Sequence, residues 1–505
     1  MRIKELKLPK LAYNWISALG IIIAFVTTLL MTFLYLIGIW AKVTNPYLGI
    51  FLYMALPPIL FFGLFLIPVG MFRQWRIMKK TGKETYANWP YIDLNKRSHR
   101  NASAIFLIGS FVLLIISSVG GYEAYHFSES VTFCGKVCHQ VMKPEYTAYQ
   151  NSPHARVACV ECHVGPGADW FAKSKISGLY QVYAVLADKY PRPIPTPIKS
   201  LRPARETCEQ CHWPEKFFGA QQRLFDHYMY NKENSHRPIS MLVKIGGGSP
   251  KRGKVSGIHW HMFIGKKIEY IARDEAHMDI PWIKAIDLST ERTIIYEDEE
   301  NPLTEEEKDT AMVHVMDCMD CHNRPSHIYN SPDLVIDEAI STGQISGQLP
   351  EIKRIAVEAL SSPYDSEDAA RLGIANKISE FYRNTYPDIY RDKINLIDRA
   401  ILAAQDRFYN NIFPGMKVSW NKYPDNIGHF YSPGCMRCHD GKHITKDGDI
   451  ISRDCSNCHV ILSQSKGDQI VFSSSPDGLK FEHPEDIDEA WQEIGCYECH
   501  TGTQP

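Results

Sequence analysis

The sequence predicts a mainly α-helical chain with three transmembrane helices near its N-terminus, a small β insertion, and little regular structure around a repeated cysteine motif. Three observations predict this fold. Residues 1–130 contain three long apolar stretches, the rest of the chain repeats a Cys–Cys–His signature, and residues 237–300 alternate apolar and polar side chains as strands do. The 505 residues carry a formal net charge of −2, and no basic face combines with stacking aromatics, so nucleic acid is not an expected partner.

The repeated signature occurs seven times, as six Cys-x-x-Cys-His motifs and a first Cys-x-x-x-Cys-His motif. The motifs are Cys134, Cys138 and His139; Cys159, Cys162 and His163; Cys208, Cys211 and His212; Cys318, Cys321 and His322; Cys435, Cys438 and His439; Cys455, Cys458 and His459; and Cys496, Cys499 and His500. In such motifs the two thiols bind a haem covalently and the histidine ligates its iron. The motifs use all 14 cysteines. Because disulfide or zinc sites do not require a histidine after every second cysteine, we predict a multihaem cytochrome c with seven c-type haems.

The predicted transmembrane helices span about residues 15–40, 47–72 and 102–121, each long enough to cross a lipid bilayer. Pro57 and Pro58 interrupt the second span, where we expect a kink. A cleaved signal peptide would have a shorter apolar region and a small-residue cleavage site, which the first span lacks.

Basic residues predict the orientation of these spans. Arginine and lysine crowd the segment before the first span and the loop between Arg73 and Arg100, whereas the loop between the first two spans has only Lys42. By the positive-inside rule, the N-terminus is cytoplasmic and the chain after Gly121 is exported. Haem is also attached outside the cytoplasm, so we predict a bacterial inner-membrane protein with a periplasmic haem domain.

We divide the chain into four segments. Residues 1–130 form the membrane domain, 131–330 a tetrahaem domain with the β insertion, 331–428 a helical connector without cysteine, and 429–505 a trihaem domain.

Each haem iron has a second axial position, for which the exported chain offers many histidines. His154, His327 and His443 lie four or five residues from a motif, too near to turn back onto the same iron but able to reach a neighbouring haem. His429 and His483 lie near the C-terminal haems and, with His443, would supply all three.

Three further histidines and one methionine are ligand candidates. His259 and His261 are two residues apart on a predicted strand, so at most one faces a given haem. His314 is a third candidate, and Met142, three residues after His139, is either a thioether ligand of the first haem or a packing residue. For each histidine a surface or hydrogen-bonded role is the alternative.

From about Ser118 to His327 the sequence resembles the NapC/NirT/NrfH family of membrane-anchored quinol dehydrogenases. The shared patterns, as they stand in this sequence, are a membrane helix running into FC...CH..M, S.H....C..CHV at 152–164, ETC..CH, and C..CHNRPSH. The resemblance implies that Met142 ligates or flanks the first haem and that His154 and His327 are distal ligands. It also implies oxidation of menaquinol or ubiquinol beside the first haem.

The chain departs from that family in having three membrane helices rather than one, a longer first motif and three additional haem motifs. The whole layout is similar to the heptahaem inner-membrane cytochromes (ImcH-like) of metal-reducing bacteria. This similarity implies electron transfer from the membrane menaquinol pool to periplasmic c-type cytochromes in anaerobic, extracellular respiration. The sequence does not decide the oligomeric state, and a homo-oligomer is one of the alternatives.

Quinol oxidation needs an apolar slot near an iron and a group that accepts a proton. Lys173 and Lys175 fall on a predicted helix at the membrane surface, with Asp169 upstream, and the resemblance implies a functional lysine in this segment. The acidic residue that family members have about two turns later is missing at 181–183. The alternative is that the lysines only reach towards anionic lipid headgroups.

Three functions compete at this point. The first is a quinol-oxidising electron relay, and whether that makes the chain an enzyme, a quinol:cytochrome c oxidoreductase, is open. The second is a reductase of nitrite, hydroxylamine or a sulfur oxyanion, which needs an iron with an open position. The third is a structural membrane anchor for a periplasmic reductase. The sequence has no Cys-x-x-Cys-Lys motif and many histidines, which favours the relay. The acidic run at 297–307 is either a docking site for a lysine-rich cytochrome or a solvated loop.

Overall fold

The computed structural model divides the chain into two compact units. The first comprises residues 1–128 and 164–178, and the second comprises 129–163 and 179–505. The residues that the structure describes are 10–40, 56–82, 93–137, 139–165, 167–198, 202–247, 256–467 and 469–503.

The first unit contains three helices that are long and apolar enough to cross a membrane: α1 (Trp15–Trp40), α2 (Leu56–Thr81) and α3 (Arg97–Glu129). They confirm the predicted three spans. Residues 47–55 of the second predicted span lie outside the described residues. Both α2 and α3 extend beyond the predicted apolar limits, because a helical backbone continues into polar flanking residues that hydropathy alone excludes.

Small residues bring α1 and α2 together. A Cβ atom on Gly20 would lie 2.6 Å from the Gly63 carbonyl oxygen, and one on Gly63 would lie 2.8 Å from the Ala24 nitrogen. Ser17 Oγ donates a hydrogen bond to Ile67 O at 2.9 Å. Close backbone approach at small residues is a common way for membrane helices to associate, so this pair forms one packed hairpin within the unit.

Pro57 and Pro58 lie in the first turn of the described part of α2, and Pro68 lies inside the helix. Because the residues just before Leu56 lie outside the described part of the chain, the kink expected at Pro57 and Pro58 stays a prediction.

The chain after α3 contains a further set of helices, most of them short. They are α4 (His139–Gln150), α5 (Cys159–His163), α6 (Ala168–Leu186), α7 (Ala204–Cys208), α8 (Glu305–Thr310), α9 (Cys318–Cys321), α10 (Pro332–Ser341), α11 (Ile352–Ser361), α12 (Glu367–Thr385), α13 (Pro387–Asp392), α14 (Ile394–Asn411) and α15 (Cys496–Cys499). Ser331 begins α10 by accepting a hydrogen bond from Leu334 N. Helices α10, α11, α12 and α14 enclose the largest apolar core, so the predicted connector holds the main packed centre of the second unit.

Strands form two antiparallel sheets in the second unit. The strands are β1 (Gln221–Tyr228), β2 (His236–Val243), β3 (Lys266–Ile271), β4 (Trp282–Asp287), β5 (Thr293–Asp298), β6 (Val313–Val315), β7 (His443–Ile444), β8 (His459–Lys466) and β9 (Gln469–Phe472). Their orders are β1-β2-β8-β9 and β6-β3-β4-β5-β7. The strands begin before the predicted insertion, and β7 to β9 were not predicted from the sequence.

Both sheets combine strands from distant parts of the chain. In the first sheet Ile239 of β2 pairs with Gln464 of β8, and in the second Asp298 of β5 pairs with His443 of β7. The predicted tetrahaem and trihaem segments therefore share their sheets within one compact unit.

Candidate haem sites

Each motif after the first lies on or beside a short helical turn. In four of them the histidine N–H donates to the carbonyl of the first cysteine, at 2.8 to 3.0 Å: His212 to Cys208, His322 to Cys318, His439 to Cys435, and His500 to Cys496. From Cys159 onward the motif cysteines are free thiols rather than disulfides. The turn thus presents two thiols and one imidazole together, as covalent attachment of a haem requires.

The first motif begins in a π-helical turn, Phe133–Val137. A π turn closes its hydrogen bond one residue later than an α turn. It therefore accommodates the additional residue of Cys-x-x-x-Cys-His. Cys138 and the side chain of His139 lie outside the described residues, and Met142 is half-buried on α4.

Thiols of consecutive motifs are neighbours. A hydrogen bond with Cys134 lowers the pKa of Cys159 to about 7, and Cys208 is hydrogen-bonded to Cys318. Elsewhere burial is the main cause that raises a thiol pKa, and the charge of a cysteine in an adjacent motif adds to the rise. These pairs are Cys162 with Cys211, Cys321 with Cys435, Cys458 with Cys435, and Cys496 with Cys455. The seven motifs therefore follow one another in space as they do in sequence.

Six histidines outside the motifs lie with their rings beside a motif histidine. The distances between ring centres are 6.2 Å for His327 and His163, 5.9 Å for His154 and His212, 6.2 Å for His259 and His322, 5.9 Å for His261 and His439, 6.2 Å for His429 and His459, and 6.1 Å for His483 and His500. A metal–imidazole bond is about 2 Å long, so two imidazoles on opposite sides of one metal ion have centres roughly 6 Å apart. The six pairs have the spacing that an iron between them requires.

Hydrogen bonds orient five of these rings. In His483, Nδ1 lies close to both the carbonyl oxygen and the N–H of Glu485, at 2.9 and 3.2 Å. In the other four, Nδ1 contacts only a backbone carbonyl, at 2.9 to 3.1 Å: His154 (Pro325 O), His327 (Glu145 O), His259 (Ile245 O) and His261 (Ile258 O). A carbonyl only accepts, so the proton is on Nδ1 and the Nε2 lone pair is left for a metal. Burial also lowers the pKa of His327 to about 4, which keeps the imidazole neutral, as a ligand must be.

His443 is placed differently from the predicted ligand role. The side chain is buried, Nδ1 lies 2.9 Å from Asp440 Oδ1, and Nε2 lies 2.7 Å from Ile280 O. Because both ring nitrogens are engaged by protein oxygens, neither is left for an iron. His443 lies only four residues after His439 because it is the first residue of β7, and the spacing therefore does not indicate a ligand.

His314 is also placed away from the motif histidines. Its ring lies on β6, 5.3 Å from the Tyr270 ring and 4.4 Å from the His277 ring, between centres. Within the described residues no ring contact joins His314 to a motif histidine. The structure therefore does not support the predicted ligand role of His314.

The segment predicted to bind quinol forms α6. Lys175 Nζ lies 3.3 Å from Ser128 Oγ at the end of α3 and 5.1 Å from the centre of the Phe171 ring. Lys173 Nζ lies 4.7 Å from the Trp170 ring centre, and Asp169 is exposed in the first turn. The first half of α6 thus places Lys175 beside the last turn of a membrane helix.

The second half of α6 exposes an apolar face. Leu179, Tyr180, Tyr183 and Leu186 are all exposed, Leu186 by 84 % of its surface. Contiguous exposed apolar side chains mark surfaces that contact lipid or another protein. The helix therefore has the character of an interfacial helix with tyrosines at its edge.

The acidic run at 297–307 is largely neutralised within the molecule. Glu297 lies 3.1 Å from Lys308, Glu300 lies 2.5 Å from Lys442, and Glu307 lies 2.8 Å from Arg273. These pairs stabilise the loop, and Glu307 also completes the capping box with Thr304 that begins α8, which favours a structural role over a docking site.

Membrane helices, repeated haem motifs and histidines paired across each later motif define a membrane-anchored multihaem cytochrome c. Residues 96–193 match the NapC/NirT cytochrome c family, N-terminal region. The chain is 46 % identical over 491 residues to the cytochrome c-type protein ImcH of Geobacter sulfurreducens, covering 97 % of this chain and 95 % of that protein. No solved structure matches the chain. The chain therefore belongs to the ImcH-like cytochromes of the NapC/NirT type, which confirms the predicted family, c-type haem and membrane electron transfer.

Proposed function

We propose that the chain is an inner-membrane quinol dehydrogenase, with menaquinol as substrate, that transfers electrons through seven c-type haems to periplasmic cytochromes in anaerobic or extracellular respiration. The family membership supports membrane electron transfer, and the seven motifs support the haem count. The predicted orientation, with a cytoplasmic N-terminus and a periplasmic haem unit, belongs to this proposal.

The observation that carries the proposal is the pairing of six motif histidines with six others. We propose that each of these six histidines is the distal ligand of the haem at the motif it faces. In chain order from the second to the seventh motif, they are His327, His154, His259, His261, His429 and His483. Met142 stays the candidate for the first haem. A bound haem supplies one-electron chemistry, and an iron held by two histidines has no open position for nitrite, hydroxylamine or a sulfur oxyanion. Iron sites with both axial positions taken by histidine favour an electron relay over a reductase.

Lys175 is our candidate for the residue that assists proton release from quinol. Its ammonium lies against Ser128 and the Phe171 ring, close to the end of α3. An ammonium at this position would stabilise the quinol anion that forms when a quinol hydroxyl loses its proton to water, and the Ser128 hydroxyl would hold the ammonium in place. The exposed apolar face of α6 supports a position at the bilayer surface, where a lipid-soluble quinol arrives. Lys173 and Asp169 are secondary candidates on the same helix.

The test uses the purified full-length protein in liposomes with a menaquinol analogue, and it follows the absorption band of reduced haem. We expect rapid partial reduction, slowed by quinone-site inhibitors and at least tenfold by Lys175→Gln. Lys189→Gln is the matched control, since Lys189 Nζ contacts the Tyr183 hydroxyl at 3.0 Å outside the proposed site. An unchanged rate in Lys175→Gln would overturn the lysine assignment while leaving the relay intact.

Two other outcomes would reject the relay itself. Stable CO binding to a haem, together with substrate reduction in the absence of quinol, would indicate a reductase with an open iron. Failure of quinol to reduce any haem would indicate a structural anchor.

A further inference from the structure

A single short turn lies between two haem motifs that are far apart in sequence. Residues Ile258–Met262 form a 3₁₀ helix, not the predicted strand. The His259 ring lies beside His322 of the fourth motif, and the His261 ring lies beside His439 of the fifth. The turn therefore touches both the tetrahaem and the trihaem segments.

The helical geometry explains why neighbouring histidines serve different sites. A 3₁₀ helix has about three residues per turn, so side chains two residues apart point roughly 120° away from each other. Trp260, between them, packs on the core formed by Ile268, Tyr270, Ile280 and Ile283. The partly buried indole holds the turn while the two imidazoles diverge from it.

Backbone contacts fix the turn to the end of β2. Ile258 N donates to Lys244 O at 2.9 Å, and His259 N donates to Ile245 O at 3.1 Å. Gly247 has φ of +90°, and a Cβ there would lie 2.5 Å from His259 O. The glycine is therefore required for the close approach that positions His259.

The two ring pairs differ in orientation. His259 and His322 are nearly parallel, with an interplanar angle of 5°, whereas His261 and His439 are nearly perpendicular, at 88°. The relative orientation of two axial imidazoles controls the electronic asymmetry of low-spin ferric iron. Parallel planes give a rhombic paramagnetic spectrum, and perpendicular planes give a strongly anisotropic one with a large maximum g value.

We propose that the Ile258–Met262 turn supplies the distal ligands of two successive haems, His259 to the fourth and His261 to the fifth. The turn would thus join the haems of the tetrahaem segment to those of the trihaem segment. The inference deepens the proposed function and rests on its haem-binding part alone. It also predicts that the fourth haem has a rhombic paramagnetic spectrum and the fifth a strongly anisotropic one.

The test compares paramagnetic resonance spectra of the oxidised full-length protein and two variants. We expect His259→Ala to remove a rhombic low-spin signal and His261→Ala to remove a large-g signal, each converting one haem in seven to a high-spin, CO-binding form. His236→Ala is the control, since His236 Nε2 contacts Asp226 at 2.6 Å and its ring lies beside none of the motif histidines whose side chains the structure describes.

Met variants test the same assignment where the alanine variants fail to fold. His259→Met and His261→Met should each retain low-spin iron, raise the midpoint potential of one haem, and add the absorption band of a thioether-ligated ferric haem. Loss of the same signal in both alanine variants, or unchanged spectra in all four variants, would overturn the proposal. The spectra need no quinol, so a failed quinol reaction with the expected spectral changes would reject the proposed dehydrogenase and leave this junction standing.

Discussion

Replacing Lys353 with methionine should strongly destabilise the second unit. The Lys353 side chain is 0 % exposed, and its Nζ lies 2.6 Å from Asp333 Oδ1 and also contacts Asp337 Oδ1. Tyr230 and Tyr431 donate hydrogen bonds to the same Asp333 carboxylate. Although burial opposes it, the nearby ammonium holds the pKa of Asp333 below its ordinary value.

The magnitude follows from the charges left behind. Methionine matches the length of the lysine stem but leaves two buried carboxylates without their cation. Removing one partner of a buried ion pair costs about 3–5 kcal/mol, because the remaining charge stays desolvated. We expect a loss of this size in the free energy of unfolding.

The assay is guanidinium unfolding of the haem-loaded protein, followed by near-ultraviolet circular dichroism. Lys377→Met is the matched control, since the Lys377–Glu358 pair at 2.8 Å is partly exposed and should contribute less than about 1 kcal/mol. Adding Asp333→Asn and Asp337→Asn to Lys353→Met should recover much of the loss. A Lys353→Met protein that unfolds at the parent's denaturant concentration would refute the reasoning.

Two further predictions follow from contacts that sequence spacing does not show. His443→Gln should leave the low-spin haem spectrum unchanged and lower stability by about 1–3 kcal/mol, because it breaks buried hydrogen bonds rather than an iron bond; a new high-spin signal would show that His443 is a ligand. A hydrogen bond from Arg273 holds the pKa of Glu307 at about 2, below the ordinary value of 4.5. The resulting stabilisation is present above pH 4.5 and lost as the pH falls towards 2, so Glu307→Gln should flatten the stability profile in that window; an unchanged acid slope would contradict this.

The motifs, the membrane spans and the helices of the connector could be predicted because each depends on nearby residues. Covalent haem attachment needs five or six consecutive residues, and a helix such as α10 begins at a capping serine beside an apolar periodicity. The residues that determine such features are close together in the chain, so the sequence alone is enough to identify them.

The ligand pairs could not be assigned in the same way. His163 and His327 come together only when the chain folds, and their positions in the sequence do not reveal this contact. His443 resembled a ligand because it is near a motif, yet its strand turns both nitrogens onto protein oxygens. For His259 and His261 the turn, set by Gly247, replaced the expected strand and gave each histidine a different neighbour.

The sheets impose an order of events on biosynthesis. β2 and β5 leave the ribosome long before β8 and β7, their hydrogen-bonding neighbours, have been made. Pairings between such distant residues form slowly and leave strand edges open in the meantime. The early motifs are thus available for haem attachment before the sheets are complete, and folding of the second unit is completed only after the final motifs have been made.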